Sequence, residues 1–489
     1  MNLSEIIDGI KILDIKGNTN ITIDEITDDS RIKTSNGLFI ALKGVKGLCL
    51  DGHRFINEAI ANGAKGLVVE RDVAVKGDIT IVKVENTRKT MALMMSNFYK
   101  KPSKKFDLIG VTGTNGKTSV SYLTKSIFDR DNRNTGLIGG IGYIIDKKLK
   151  KTNNTTPKSI DLQKIFHYMV EEKIDSCIIE VSSQGLDFHR VDYCDFDVGV
   201  FTNLTSEHLD YHKTMENYLN AKMKLFFMTK KYNIINGDDK YGKVAINRIK
   251  NLNTNLLIYG LKDEYDVYAT DITYSASGVS FNLSTPKGSI YIDMNTPGLF
   301  TVYNGLAAAS CGYVYNMDLE TIKEGLEDVK GVRGRFEVVP TNKNFTVIID
   351  FAHTPYSLEM ALKTIKEFAK GRIIVLFGAG GDRDKSKRSI MGEVAGLNSD
   401  LCIVTSDNPR TENPDEIIEG IIKGVKKVNG NFIKITDRKK AIEYVILNHK
   451  SEDVILLAGK GHETYTIIGK NEIPFDEREI VKNILKKLK

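Results

Sequence analysis

Residues 106–123 read FDLIGVTGTNGKTSVSYL: a short apolar run, a glycine-rich turn, then residues that favour helix. A strand that feeds a helix through so tight a turn packs that helix back on a parallel sheet. Ligands then gather at the carboxyl ends of the strands. The strict phosphate-loop pattern G-x-x-x-x-G-K-[ST] is missed at one position, because Val111 stands where the first glycine belongs. Its working parts are present. Gly113 and Gly116 allow backbone N–H groups across Thr114 and Asn115 to turn inward on a phosphate, and Lys117 can reach the β and γ oxygens. Thr118 can offer its hydroxyl to Mg²⁺ at the helix N-terminus, with Ser119 next to it. The stretch predicts a site for ATP or a close relative over 113–119; the plain alternative is a structural turn with a surface lysine.

At 489 residues the chain exceeds a single core, and its pattern divides into three units. Residues 1–100 mix short apolar runs with a helical stretch and read as a small α/β domain. The segment YKKPSKKFD, 99–107, is polar and broken by Pro102, as a linker would be. Over 101–331, strand patterns at SCIIEVSS, DVGVFTNLT and YNIING alternate with helices. That alternation predicts a doubly wound, largely parallel sheet, with period-two strands over 266–298 as an antiparallel flank. KGVRGRFEVV, 330–339, marks a junction, and over 332–489 the alternation restarts as a Rossmann-like sheet.

Bulk properties exclude several classes. The net charge of +6 is dispersed along the chain, which argues against a nucleic-acid groove. Five cysteines without C-x-x-C spacing argue against a zinc ribbon and fit a reducing compartment. The first residues, MNLSEIIDGIKILDIKGN, carry acidic groups and no sustained apolar core, and no apolar run approaches a membrane span. The expectation is a cytoplasmic monomer with no nucleic-acid partner and no membrane insertion.

No N-K-x-D base-recognition motif accompanies the loop, so it does not read as a GTPase. Instead Glu180, in IIEVSSQG, and His208, in TNLTSEHLDYH, fall at the expected carboxyl ends of strands. Carboxylate and imidazole together suit a second divalent cation beside a phosphate. Singly, each reads equally well as a surface acid and a loop histidine.

The blocks GVTGTNGKTS, NTTP (154–157), EVSSQGL, HLDYH, NYLNAKMKLF, VYNGLAAA, GVRGRFE, DFAHTP, FGAGGDRDKSKR, DNPRTENP and AGKGHETY follow one another in this order. In that order the chain resembles the Mur ligases over essentially its whole length. Within the family it is most similar to the member that adds the third residue of the peptidoglycan stem. DSRIKTSNGLFIALKG, 29–44, is similar to that member's uridine-nucleotide domain.

The resemblance implies an ATP-dependent amide ligase acting in peptidoglycan precursor synthesis. ATP would phosphorylate the D-glutamate carboxylate of UDP-N-acetylmuramoyl-L-alanyl-D-glutamate, and an amine would capture the acyl phosphate through a tetrahedral intermediate. Thr118 and Glu180 would hold Mg²⁺, and Lys117 would contact the phosphates. Lys222 matches the lysine that the family carries as a carbamate formed with CO₂, with His208 at a second metal; Lys224, two positions on, is the alternative. Ser30, Thr155, Thr156, Ser182 and Arg190 match positions for the UDP-muramoyl dipeptide, and Asn304 matches the adenine-side asparagine. Arg335 and His353 would complete the nucleotide site from the C-terminal unit. The chain departs from the family pattern at Thr301, where asparagine is usual, and at Gln184, where histidine is common.

Arg383, Asp407, Asn408, Pro409, Arg410, Gly459 and Glu463 match the amino-acid site, and DNPR, 407–410, is the family signature for meso-diaminopimelate. A guanidinium pairs with that substrate's distal carboxylate and repels the ammonium of lysine. Closure of the domains is expected to keep the acyl phosphate from water. The resemblance leaves open lysine or another diamino acid, and a different Mur or folylpolyglutamate-type ligase. From another class, it leaves a non-catalytic nucleotide-binding scaffold.

Overall fold

A computed structural model describes residues 1–45, 49–275 and 277–488. Three large sheets follow one another along the chain, and a two-stranded one, Tyr465–Ile468 with Asn471–Pro474, comes after them. The first has five strands, in the order Ile12–Lys16, Thr80–Val84, Ala64–Val69, Gly37–Ile40 and Glu25–Thr27. Only its first pair is antiparallel.

The central sheet has eleven strands. Its middle runs Asn255–Gly260, Tyr232–Asn236, Val198–Phe201, Asp107–Thr112, Ser176–Glu180 and Thr135–Gly139, all parallel. Beyond them, Val267–Ser275 joins parallel, then Gly278–Thr285 and Gly288–Met294 join antiparallel, as the period-two pattern predicts. The chain moves to one side of Asp107–Thr112 and later returns to the other, so the order of connection reverses at the strand that leads into the glycine loop. Such a reversal opens the crevice in which open α/β sheets bind ligands.

Alternate residues of that strand serve the two faces. Leu108 joins the core on one side, and Ile109 and Val111 join the core on the other. Val111 is fully buried and lies in register with Glu180 and Val200. The missing glycine thus falls on a strand position where an apolar side chain is required. Its burial contributes about 1.5–3 kcal/mol.

The third sheet runs Glu337–Val339, Thr346–Asp350, Val454–Ala458, Ile373–Phe377, Leu401–Val404 and Phe432–Lys434, parallel after its first pair. Apolar clusters cover both its faces, as its near-continuous apolar strands require. The segment 99–107 packs on the central unit: Pro102 and Ser103 are buried, and Ser103 Oγ accepts a hydrogen bond from the Asp195 N–H at 3.2 Å. One expectation needs adjusting. The strand in DVGVFTNLT ends at Phe201, so His208 sits on the following loop, as the cap of the short helix Leu209–His212. Among the described residues, no helix is long and apolar enough to cross a membrane.

Candidate active site

The loop between Asp107–Thr112 and the helix Lys117–Arg130 turns on two glycines with positive φ, Gly113 at 149° and Gly116 at 84°. A Cβ at Gly113 would lie 1.9 Å from Thr202 Oγ1, so the position is closed to any side chain. Asn304 arrives from the helix Leu299–Val314 and lies over Gly116, where a Cβ would meet its Oδ1 at 2.5 Å. Thr114 and Asn115 are pinned from the neighbouring strand's loop. The Thr114 N–H donates to Asn203 O at 2.8 Å, and the Asn115 N–H donates to Asn203 Oδ1 at 3.0 Å. Ser119 is half-buried on the first helical turn.

Two lysines converge on one carbonyl. Lys117 Nζ donates to Gly113 O at 2.9 Å and Thr114 O at 2.8 Å, while Lys222 Nζ donates to the same Gly113 O at 2.7 Å. Lys222 is 1 % exposed, with its Nζ 4.7 Å from the centre of the Tyr218 ring. Burial, and then the neighbouring Lys117, push its amine well below the usual lysine range. Lys224 instead pairs with Asp187 at 2.8 Å.

Thr118 Oγ1 donates to Glu180 Oε2 at 3.0 Å, and Glu180 Oε1 accepts from the Gly140 N–H at 3.0 Å. Arg335, from the third unit, donates to Thr118 Oγ1 at 3.3 Å while its guanidinium lies over Phe351. His353 Nε2 stands 3.5 Å from Glu207 Oε1, next in sequence to His208. Burial lowers the pKa of His208, which favours the neutral imidazole that a metal needs.

Among the described residues, no three His, Cys, Asp or Glu side chains gather as a metal site. The chemistry of the donors is nevertheless suitable at one position: the Thr118 hydroxyl and Glu180 carboxylate present adjacent hard oxygens to Mg²⁺. At the other, His208 is joined by an amine that suits Mg²⁺ only once it bears a carboxylate.

Thr156, Ser182 and Arg190 meet beside Glu180. Thr156 Oγ1 donates to Glu180 O at 2.9 Å and accepts from the Ser182 N–H at 2.9 Å, and Arg190 Nη1 donates to Thr156 O at 2.8 Å. Thr155 lies along Gly140. Ser30 stands apart from this group in the first unit, where its hydroxyl bonds Glu58. The sequence reading did not single out Arg88, whose guanidinium shares the Phe188 ring with Arg190.

The amino-acid candidates gather at the end of Leu401–Val404. Asn408 Nδ2 donates to Glu463 Oε2 at 2.9 Å, and Gly459, at φ 117°, lies so close to Asp407 that a Cβ would meet Oδ2 at 2.4 Å. Arg410, at φ 51°, donates from Nη1 to Gly381 O at 2.8 Å, and the Pro409 carbonyl closes on Gly381 as well. Burial and the nearby Arg383 lower the pKa of Arg410, the mark of a cation crowded by another cation. Arg383 itself is exposed. Lys460 was missed from sequence. It is 1 % exposed and donates to Asn408 Oδ1 and Tyr465 O, both at 2.9 Å, holding the asparagine that faces Glu463. Only its place in the G-K-G block could have marked it.

Residues 111–312 match the family described as Mur ligase middle domain, and 334–461 match that described as Mur ligase, glutamate ligase domain. The chain is 49% identical to the UDP-N-acetylmuramoyl-L-alanyl-D-glutamate–2,6-diaminopimelate ligase of Caldanaerobacter subterraneus subsp. tengcongensis, over 99% of each chain. To the enzyme of the same name from Clostridioides difficile it is 47% identical over 100% of each. A solved structure with that ligase name superposes with a TM-score of 0.71 at 30% identity, covering 100% of this chain and 99% of the other.

Proposed function

This chain belongs to the Mur ligase family, and from that membership we propose that it joins meso-2,6-diaminopimelate to the D-glutamate of UDP-N-acetylmuramoyl-L-alanyl-D-glutamate at the expense of ATP. The observation that carries the reading is the arrangement around Gly113 and Thr118. Two lysines, a carboxylate and, from another unit, Arg335 converge on a loop built for phosphate. The units 1–100, 101–331 and 332–489 would hold the uridine nucleotide, ATP and the amino acid in turn, in a cytoplasmic monomer.

A carboxylate is a poor electrophile. Transfer of the γ-phosphoryl group forms a bond from a glutamate oxygen to phosphorus and breaks the bond to ADP. The acyl carbon then accepts the amine of diaminopimelate, and phosphate departs with the original carboxylate oxygen. Positioning and charge neutralisation do most of this work. Lys117 leaves its carbonyl partners to contact the phosphates, and Arg335 reaches the same loop from the C-terminal unit. Thr156, Ser182 and Arg190 orient the muramoyl dipeptide so that its carboxylate faces the γ-phosphoryl group.

Mg²⁺, held by Thr118 and Glu180 and at a second position by His208 with a carbamylated Lys222, would supply positive charge to the phosphate oxygens. The burial of Lys222 supports the carbamate, since CO₂ adds to a neutral amine and the addition exchanges a cation beside Lys117 for an anion. Arg410 and Arg383 favour a substrate that ends in a carboxylate and disfavour lysine.

Phosphate release should be measured with ATP and the UDP-muramoyl dipeptide, adding diaminopimelate or L-lysine in separate reactions. Faster turnover with diaminopimelate is expected. Faster turnover with lysine overturns the specificity, and no release with either overturns the ligase reading.

A further inference from the structure

The loops that carry Arg383 and Arg410 are tied together by an ion pair outside the groups assigned above. Arg388, on the helix Ser386–Asn398, is 5 % exposed, and its Nη2 donates to both carboxylate oxygens of Glu412 at 2.9 and 3.0 Å. Glu412 Oε1 also accepts from the backbone N–H of Asp382 at 2.6 Å. One carboxylate, two residues beyond Arg410, therefore grips both a buried guanidinium and the residue immediately before Arg383.

The rest of the junction is held beside that grip, with the Arg410 N–H donating to Ile467 O at 3.1 Å. Asp382 and Arg410 both hold left-handed backbone, at φ 52° and 51°, a conformation that persists in side-chain-bearing residues only where neighbours enforce it. Thr411 Oγ1 donates to Asp382 Oδ1 at 2.7 Å, and the Gly381 N–H donates to Asn408 O at 2.9 Å. Below the loops, the stem of Arg388 lies along Gly420 of the helix Pro414–Lys427, where a Cβ would come within 3.3 Å of its Cδ. At Gly424 a Cβ would meet Ser389 O at 1.8 Å, so the two helices lie almost backbone to backbone. Removal of Arg388 leaves Glu412 with only the exposed Lys385, at 3.4 Å, as a cationic partner.

We propose that Arg388 and Glu412 are positioning residues that fix the spacing between the Arg383 and Arg410 guanidinium groups, and through it the selection of an amino acid with a distal carboxylate. Neither side chain touches the substrate. The inference rests on the reading that these two arginines receive the amino acid.

The test uses the full chain with Glu412→Gln, which is nearly isosteric, and Arg388→Lys, which keeps the charge and loses the fork. Kinetics with diaminopimelate and ATP varied in turn are combined with amide hydrogen exchange. In Glu412→Gln, KM for diaminopimelate should rise roughly tenfold or more, while kcat and KM for ATP stay within about twofold. Exchange should quicken over 380–384 and 408–412 but not over 113–119, and Arg388→Lys should fall between Glu412→Gln and wild type. An unchanged KM for diaminopimelate overturns the proposal. So does a joint rise in both KM values with faster exchange everywhere, because that is a general loss of structure. If the wild type ligates no diaminopimelate, the substrate reading fails and exchange alone decides: quickening confined to the two loops keeps the clamp, and unchanged exchange removes it.

Discussion

Glu207 Oε1 lies 3.5 Å from His353 Nε2, so a carboxylate of the central unit meets an imidazole of the C-terminal unit within one residue of His208. Burial alone would raise the Glu207 carboxyl, but His353, His208 and Lys117 outweigh it and hold it at about 2. A carboxylate held this low stabilises the contact above its ordinary range and loses that contribution as pH falls from about 4.5 towards about 2.

Replacing Glu207 with Gln should therefore loosen the approach of the two units. We expect kcat/KM for the amino acid to fall roughly tenfold to a hundredfold, the range set by losing a partly buried charged contact. The urea midpoint should fall at pH 7 and much less at pH 3. Kinetics and urea unfolding at both pH values check this, and a destabilisation that grows on acidification would contradict it.

Lys222 gives a sharper case, because its amine is buried against Gly113 O and crowded by Lys117. Lys222→Ala should lose at least roughly a hundredfold in kcat, as removal of a preorganised charge at transferring phosphate does. Small carboxylic acids added to the variant should restore part of that activity by supplying the missing anion. Near-normal turnover of the untreated variant would remove the residue from the mechanism.

Val111 yields a counterintuitive expectation. Val111→Gly restores the strict phosphate-loop pattern, yet it empties a fully buried strand position. The substitution should cost about 2–4 kcal/mol of stability, from the lost side chain and the freer backbone, and leave KM for ATP within about twofold. Chemical unfolding and ATP kinetics measure the two effects separately. A markedly lower KM would mean that the loop, not the strand, had lacked its glycine.

The strand, tight turn and helix around Gly113 and Gly116 were legible because such a turn demands glycine at positive φ within a few consecutive positions. Val111 was legible as an exception at the end of a buried-strand pattern, but not as a residue bound to one core, which only its burial in the cluster with Ile109 and Val120 shows. Contacts between units were not legible as geometry. Arg335 and Thr118 are 217 positions apart, and nothing local tells a guanidinium which hydroxyl it will meet. Lys460 and Arg388 failed for a different reason. Each looks like one more charge in a lysine-rich chain, and apart from the G-K-G block around Lys460 it is burial that distinguishes them. Within 99–107 the polar side chains gave no sign that Pro102 and Ser103 pack inward.

The proposed chemistry is that ATP makes a carboxyl group reactive enough to be captured by a nitrogen nucleophile. It is tested most directly by placing oxygen-18 in the side-chain carboxylate of the dipeptide's D-glutamate and following the label during turnover with diaminopimelate. The mechanism requires one labelled oxygen in each inorganic phosphate released, because the carboxylate oxygen that attacks phosphorus leaves with it. Phosphate that stays unlabelled while the amide forms would contradict the account.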